Sequence, residues 1–166
     1  MPDSQGTESF EALAALLDYP MFVVTTRAGE DISGCLVGFA SQTSINPARF
    51  LIGLSKRNRT FRVASDATHL AVHVVARAHV DLAELFGSAT GDRVDKFSRC
   101  SWHSGPEGMP ILDDAGAWFV GSIGQRFDLG DHVGHLLDPV GGESPEDFRD
   151  WVTFADVRDL TPGHEA

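Results

Sequence analysis

Long apolar runs are absent from this sequence. Nothing in its 166 residues stays hydrophobic over the roughly 20 positions that a membrane-crossing helix requires. The opening MPDSQGTESFE is acidic and lacks the apolar centre of a secretory leader, so a cytoplasmic protein with no membrane partner is expected. Positive charge is also scarce: 13 Lys and Arg stand against 24 Asp and Glu, a net charge of −11. Such a balance repels nucleic acid and anionic lipid and argues against either as a partner. Cysteine is nearly missing. Cys35 and Cys100 form no CxxC pair and read as reduced thiols, with Cys35 a packing residue in an apolar strand.

Several familiar signatures are missing too. No GxGxxG follows a strand and no GxxxxGK[ST] occurs, which leaves dinucleotide-fold and P-loop binding without support. There is no GxSxG elbow for a hydrolase nucleophile. The seven histidines do not group as metal ligands. His69 and His73 are four apart in a β-branched segment, where burial beside apolar neighbours is the simpler account. His132 and His135, three apart in a strand, face opposite sides; no metal site is expected there.

What is present is a single domain with an ordinary hydrophobic fraction of 42%. Residues 1–8 are polar and expected to be disordered, 9–140 to form the folded domain, and 141–166 an acidic C-terminal extension. Ser9 can cap a helix whose Phe10, Leu13, Leu16 and Leu17 share a face, ended by Tyr19-Pro20. Strands are expected at 21–26, 32–39, 50–54, 69–76, 117–123 with a possible continuation to 127, and 132–137. Short helices are expected from Asn58 or Thr60 to Ser65, at 82–86 after a capping box of Asp81 and Glu84, and at 92–98. The Gly- and Pro-rich 101–110 reads as a loop, and 143–157 as an amphipathic helix. Many short antiparallel strands with helical crossovers favour a mainly β protein, a small barrel with peripheral helices.

The stretch from Gly34 to Thr60 stands out. Small and hydroxyl residues, Gly38-Phe39-Ala40-Ser41-Gln42-Thr43-Ser44, follow an apolar segment and let a flat ligand approach the backbone. After the Asn46-Pro47 turn and a short apolar strand comes Ser55-Lys56-Arg57-Asn58-Arg59-Thr60. Lys56, Arg57, Arg59 and Arg62 place four of the 13 basic residues within seven positions, which on an acidic chain suggests an anion site. A phosphorylated, planar ligand is the expectation.

These pieces resemble the flavin reductase-like family with the FMN-binding split barrel. The resemblance rests on Ser44-Ile45-Asn46-Pro47-Ala48, Ser55 to Thr60, Asp81-Leu82-Ala83 with Phe86, and Asp92-Arg93 with Phe97. It continues through Trp102 and Gly105, Gly108-Met109-Pro110-Ile111-Leu112, and Gly130-Asp131-His132, in order over residues 10–140. Asn46 and Ala48 depart from the family's Asp-Pro-Pro.

The resemblance implies a homodimeric, Greek-key-like split β-barrel that binds FMN or FAD. It implies reduction of the flavin by NADH or NADPH, with hydride transfer to flavin N5 and reduced flavin supplied to a partner monooxygenase. Residue by residue, Val37, Gly38, Phe39, Ala40, Ser41, Gln42 and Thr43 would line the ring and ribityl chain, largely through backbone groups. Ser55, Lys56, Arg59 and Thr60 would hold the phosphate, and His132 would lie by the flavin and nicotinamide. Two alternatives stand beside this: a split-barrel enzyme with tightly bound FMN or a deazaflavin acting on another acceptor, and a flavin-binding module without turnover. Trp102, Trp118 and Trp151 read as core or dimer-interface residues, and Phe97, near Asp92-Arg93, is a candidate to border the site from the other subunit.

Overall fold

The computed structural model describes residues 4–88 and 95–160. Nine strands and four α-helices follow in chain order: α1 (Ser4–Leu16), β1 (Phe22–Ala28), β2 (Asp31–Val37), β3 (Ala40–Ser44), β4 (Arg49–Ser55), α2 (Arg59–Ser65), β5 (His69–Val74), α3 (Val80–Ser88), β6 (Trp102–Ser104), β7 (Pro110–Leu112), β8 (Ala117–Asp128), β9 (His132–Glu143) and α4 (Phe154–Val157).

Seven strands form one antiparallel sheet in the order β2-β1-β5-β8-β9-β4-β3. Alternation along each strand decides what each face buries. Phe22 and Val24, Cys35 and Val37, Ile52 and Leu54, Leu70 and Val72, and Leu137 all meet in one interior, so the sheet curls around them as a barrel. Ala64 from α2 plugs this interior. The opposite face of β1 carries Val23 into a second cluster with Leu82, Ala83 and Phe86 of α3, Phe97, Leu112, Val152 and Val157. The central strands are therefore covered on both faces, which is why 21–26 reads as continuously apolar rather than alternating.

Two buried polar side chains are satisfied in place. His73 is fully buried; its Nδ1–H donates to Val23 O at 2.8 Å and its Nε2 accepts from Leu112 N at 3.1 Å. That pattern requires the neutral ring. Lys96 is buried and donates to Gly34 O at 3.3 Å and Phe86 O at 3.0 Å, and burial lowers its pKa.

The segment after β9 belongs to the fold. It runs back across the second cluster as an extended strap, with Val152 fully buried and isolated bridges at Pro20–Thr153 and Ala76–Trp151. Arg77 binds the carboxylates of Asp150 and Asp156, while Asp18 accepts from Thr153 Oγ1 and Ala155 N. The boundary expected at residue 140 falls inside β9. The helix expected over 143–157 is only Phe154–Val157, because Asp150 at φ 65 breaks the chain direction and Thr153 starts a new capping box.

Other expectations change in smaller ways. Helix α1 starts at Ser4 rather than after a Ser9 cap, and it buries no residue, so its apolar stripe does not set its start. The expected loop at 101–110 holds over 105–109, turned by Glu107 and Gly108 in left-handed backbone conformations, but it joins two short paired strands, β6 and β7, that the sequence does not announce. Strand β3, which the small residues left without an assignment, pairs with β4 as the outermost strand of the sheet. The helix expected at 92–98 lies partly outside the described residues; within them only a 3₁₀ turn, Lys96–Arg99, is present.

Candidate functional site

Strands β4 and β9 pair so that Gly53 lies opposite Gly134 and Ser55 opposite His132. Residues 52, 54 and 137 point into the barrel, so 51, 53, 132 and 134 face outward. On this outer face lies a cavity of about 340 Å³, lined by Phe39, Ala40 and Ser41 from the β2–β3 corner, Leu51 and Gly53 from β4, and Leu129, Asp131 and His132 from the β8–β9 turn. Apolar walls with a few convergent polar groups are the usual composition of a small-molecule site.

Gly53 forms the floor. A Cβ there would lie 3.3 Å from both Phe39 Cβ and Phe39 O and 4.0 Å from His132 Cδ2, so a side chain would occupy the cavity itself. The hydrogen bond from Gly53 N to Phe39 O, 2.8 Å, holds floor and wall together. Phe39 is 61% exposed, and its ring sits 4.9 Å from that of His132 at an angle of 53°.

His132 is oriented by its neighbour. Its Nδ1 lies 2.7 Å from Asp131 Oδ1, a contact that holds the Asp131 carboxyl below its ordinary pKa. A carboxylate accepts only, so Nδ1 carries a proton and Nε2 is the nitrogen left for a ligand. The Cδ2 atom of the ring lies toward Gly53. His135 points the other way: it is fully buried near Phe61, and burial lowers its pKa. The two histidines thus occupy opposite faces as their spacing predicts.

The basic segment is divided by the fold. Lys56 turns toward the β8–β9 turn, where its N–H donates to Asp131 O at 2.9 Å and its Nζ to Asp128 Oδ1 at 3.0 Å. Arg59 turns away, donating to Ile32 O at 2.8 Å and lining a separate groove with Asp31, Arg62 and Asp66. Thr60 is fully buried, because Asn58 caps α2 through Thr60 N and the Thr60 hydroxyl shares a 2.8 Å hydrogen bond with Ser33. Ser55 is also buried and accepts from Arg57 N. Four residues expected together on one phosphate therefore sit in three environments, and Lys56 is the one tied to the β8–β9 turn that lines the cavity.

The family model described as flavin reductase like domain matches residues 14–156. The chain belongs to this family. A probable flavin reductase of Rhizobium meliloti (strain 1021) is 30% identical over 114 residues, covering 66% of this chain and 36% of that protein. The reductase component of the flavin-dependent trigonelline monooxygenase of Acinetobacter baylyi is 28% identical over 114 residues, 66% of this chain and 35% of that protein. The chain spans about a third of the length of these two curated relatives. The structure of Streptomyces globisporus C-1027 NADH:FAD oxidoreductase SgcE6 superposes with a TM-score of 0.80 at 21% identity, covering 92% of this chain and 90% of that one. The fold is thus the split barrel of the flavin reductases, mainly β with short helices.

Within this flavin reductase like domain, the side chains of the seven residues expected along the ring point in different directions, which does not bear on contacts made through their backbone groups. Phe39, Ala40 and Ser41 line the cavity. Val37 is buried in the barrel interior, and a Cβ on Gly38 would lie 2.7 Å from the Tyr19 ring. Gln42 and Thr43 lie exposed on β3, with the Gln42 amide bonded to Ser44 O. Leu51, Gly53 and Leu129 are cavity residues that the sequence reading passed over. A glycine interrupting an apolar strand was the available signal for Gly53.

Proposed function

We propose that this domain binds FMN or FAD on the Gly53 floor and catalyses its reduction by NADH or NADPH. The observation that carries this reading is the cavity itself: an apolar, glycine-floored slot with the Asp131–His132 pair at its edge and Lys56 tied to the turn that forms that edge. A flat aromatic ring with a phosphate tail matches that composition.

Bound flavin would supply the ring that accepts a hydride from reduced nicotinamide. The chain's own part is positional. Gly53 permits close approach of a planar ring to β4. Phe39, Leu51 and Leu129 keep water off its faces. His132 Nε2 accepts a hydrogen bond in the neutral ring and donates one when protonated, with Asp131 fixing which nitrogen is available. Lys56 neutralises part of the phosphate charge.

Phe39 and Leu129 are exposed apolar residues at the rim, and in this reading a second copy of the chain covers them as a homodimer. The trigonelline monooxygenase relative motivates the further proposal that reduced flavin is delivered to a partner monooxygenase.

The test is anaerobic. Purified protein with stoichiometric FMN should lose its flavin absorbance on addition of NADH or NADPH, faster than protein-free FMN. Flavin that stays oxidised with both donors would leave only a binding module. Lys56→Ala is expected to weaken FMN about tenfold while leaving riboflavin, which lacks the phosphate, nearly unchanged. Equal losses for the two flavins, in parallel fluorescence titrations, would refute the phosphate role of Lys56.

A further inference from the structure

Lys56 is held on two sides by the turn that carries His132. Its backbone N–H donates to Asp131 O, and its Nζ contacts Asp128 Oδ1 at 3.0 Å. The same Asp128 oxygen accepts Gly130 N–H at 3.0 Å, which fixes the carboxylate at the foot of the turn. This backbone bond first, and then Lys56, hold the Asp128 carboxyl below its ordinary pKa. Asp131 commits its own carboxylate to His132 Nδ1, so Asp128 is the side-chain partner of Lys56.

The pair is solvated, with the Asp128 side chain 74% and the Lys56 side chain 40% exposed. Ion pairs of this kind hold weakly. A phosphate with near-double charge and several acceptor oxygens is the stronger partner for an ammonium group. Resting on the flavin reading above, we propose that Asp128 is a built-in competitor for the flavin phosphate. It contends with the phosphate for Lys56 and thereby sets how firmly FMN is retained.

Two consequences follow from the geometry. A phosphate that takes Lys56 away from Asp128 frees one of the two ties between the basic segment and the turn bearing His132. When Asp128 takes the ammonium back, the phosphate loses its contact and the flavin is released more readily. A flavin that must leave after reduction is served by such a competitor, whereas a permanently held group is not.

The experiment compares FMN with riboflavin on the full chain, because riboflavin shares the ring and lacks the phosphate. Asp128→Asn keeps an oxygen for Gly130 N–H and removes the charge; Asp128→Ser is the second variant should the first fold poorly. Either variant is expected to raise the preference for FMN over riboflavin by about two- to fivefold. The same change made in Lys56→Ala should leave the preference where Lys56→Ala alone puts it. An unchanged preference in Asp128→Asn, with Lys56→Ala still lowering it, overturns the competitor and leaves the flavin reading standing. If Lys56→Ala lowers nothing, or wild type binds neither flavin, the underlying reading falls and the competitor falls with it. A rise that persists without Lys56 also overturns the inference, since Asp128 would then act by general repulsion.

Discussion

Gly53→Val is expected to weaken FMN and riboflavin alike, on the order of 100-fold, while the barrel stays folded. The reason is local. A Cβ at position 53 already reaches 3.3 Å from Phe39 Cβ and O, and the two further methyl groups of valine have only the cavity to enter. Valine suits a strand, and the position faces away from the barrel interior, so pairing of β4 with β3 and β9 is not at stake. The result would differ in kind from Lys56→Ala, which separates the two flavins. Fluorescence titration with both flavins, beside a melting curve, makes the comparison. Wild-type affinity in a folded Gly53→Val protein would remove the flavin ring from this slot.

The second large effect is a loss of stability in mild acid. Burial first of all, together with the charge of nearby His103, pushes the His73 pKa down to about 4, against its ordinary value near 6.5. The hydrogen bond to Val23 O opposes the shift only in part. Between those two pH values the unfolded chain binds a proton at this histidine and the folded chain does not. Stability is therefore complete above about pH 6.5 and falls as pH drops toward 4, by about 3 kcal/mol in total. Beyond burial, Nε2 already accepts Leu112 N–H and cannot take a proton without losing that bond. Denaturant titrations at pH 7, 6, 5 and 4.5 would show the slope, and His73→Gln should flatten it. Constant stability from pH 6.5 to 5 would contradict the assignment.

Much of the barrel was legible because strand periodicity is a local signal. The β-branched and aromatic runs at 21–26 and 69–76 announce strands buried on both faces, and the opposed faces of His132 and His135 follow from the two-residue period. The site was legible where one short segment carries it, as with Phe39-Ala40-Ser41 and Asp131-His132. It was obscure where distant residues decide. Nothing near Lys56 announces Asp128, 72 positions later, as its partner. Thr60 looks like a phosphate ligand by its neighbours, yet Ser33 and the Asn58 cap turn it inward. The strap misled for another reason. Phe148, Trp151, Val152, Phe154 and Val157 are spaced much as on a helix, but Trp151 is exposed, and the chain stays irregular up to Thr153, where the short α4 begins.

Strand β3 ends the sheet beside the cavity, and its free side could in principle template another chain's strand. Its make-up opposes that. Ser41, Gln42 and Thr43 give it a polar surface, the register slips between Gln42 and Ser44, and the Gln42 amide is spent on Ser44 O. A short, irregular, hydroxyl-rich border resists edge-to-edge aggregation. The wall that keeps Ala40 and Ser41 open to a small ligand is thus also what keeps neighbouring molecules from zipping onto it.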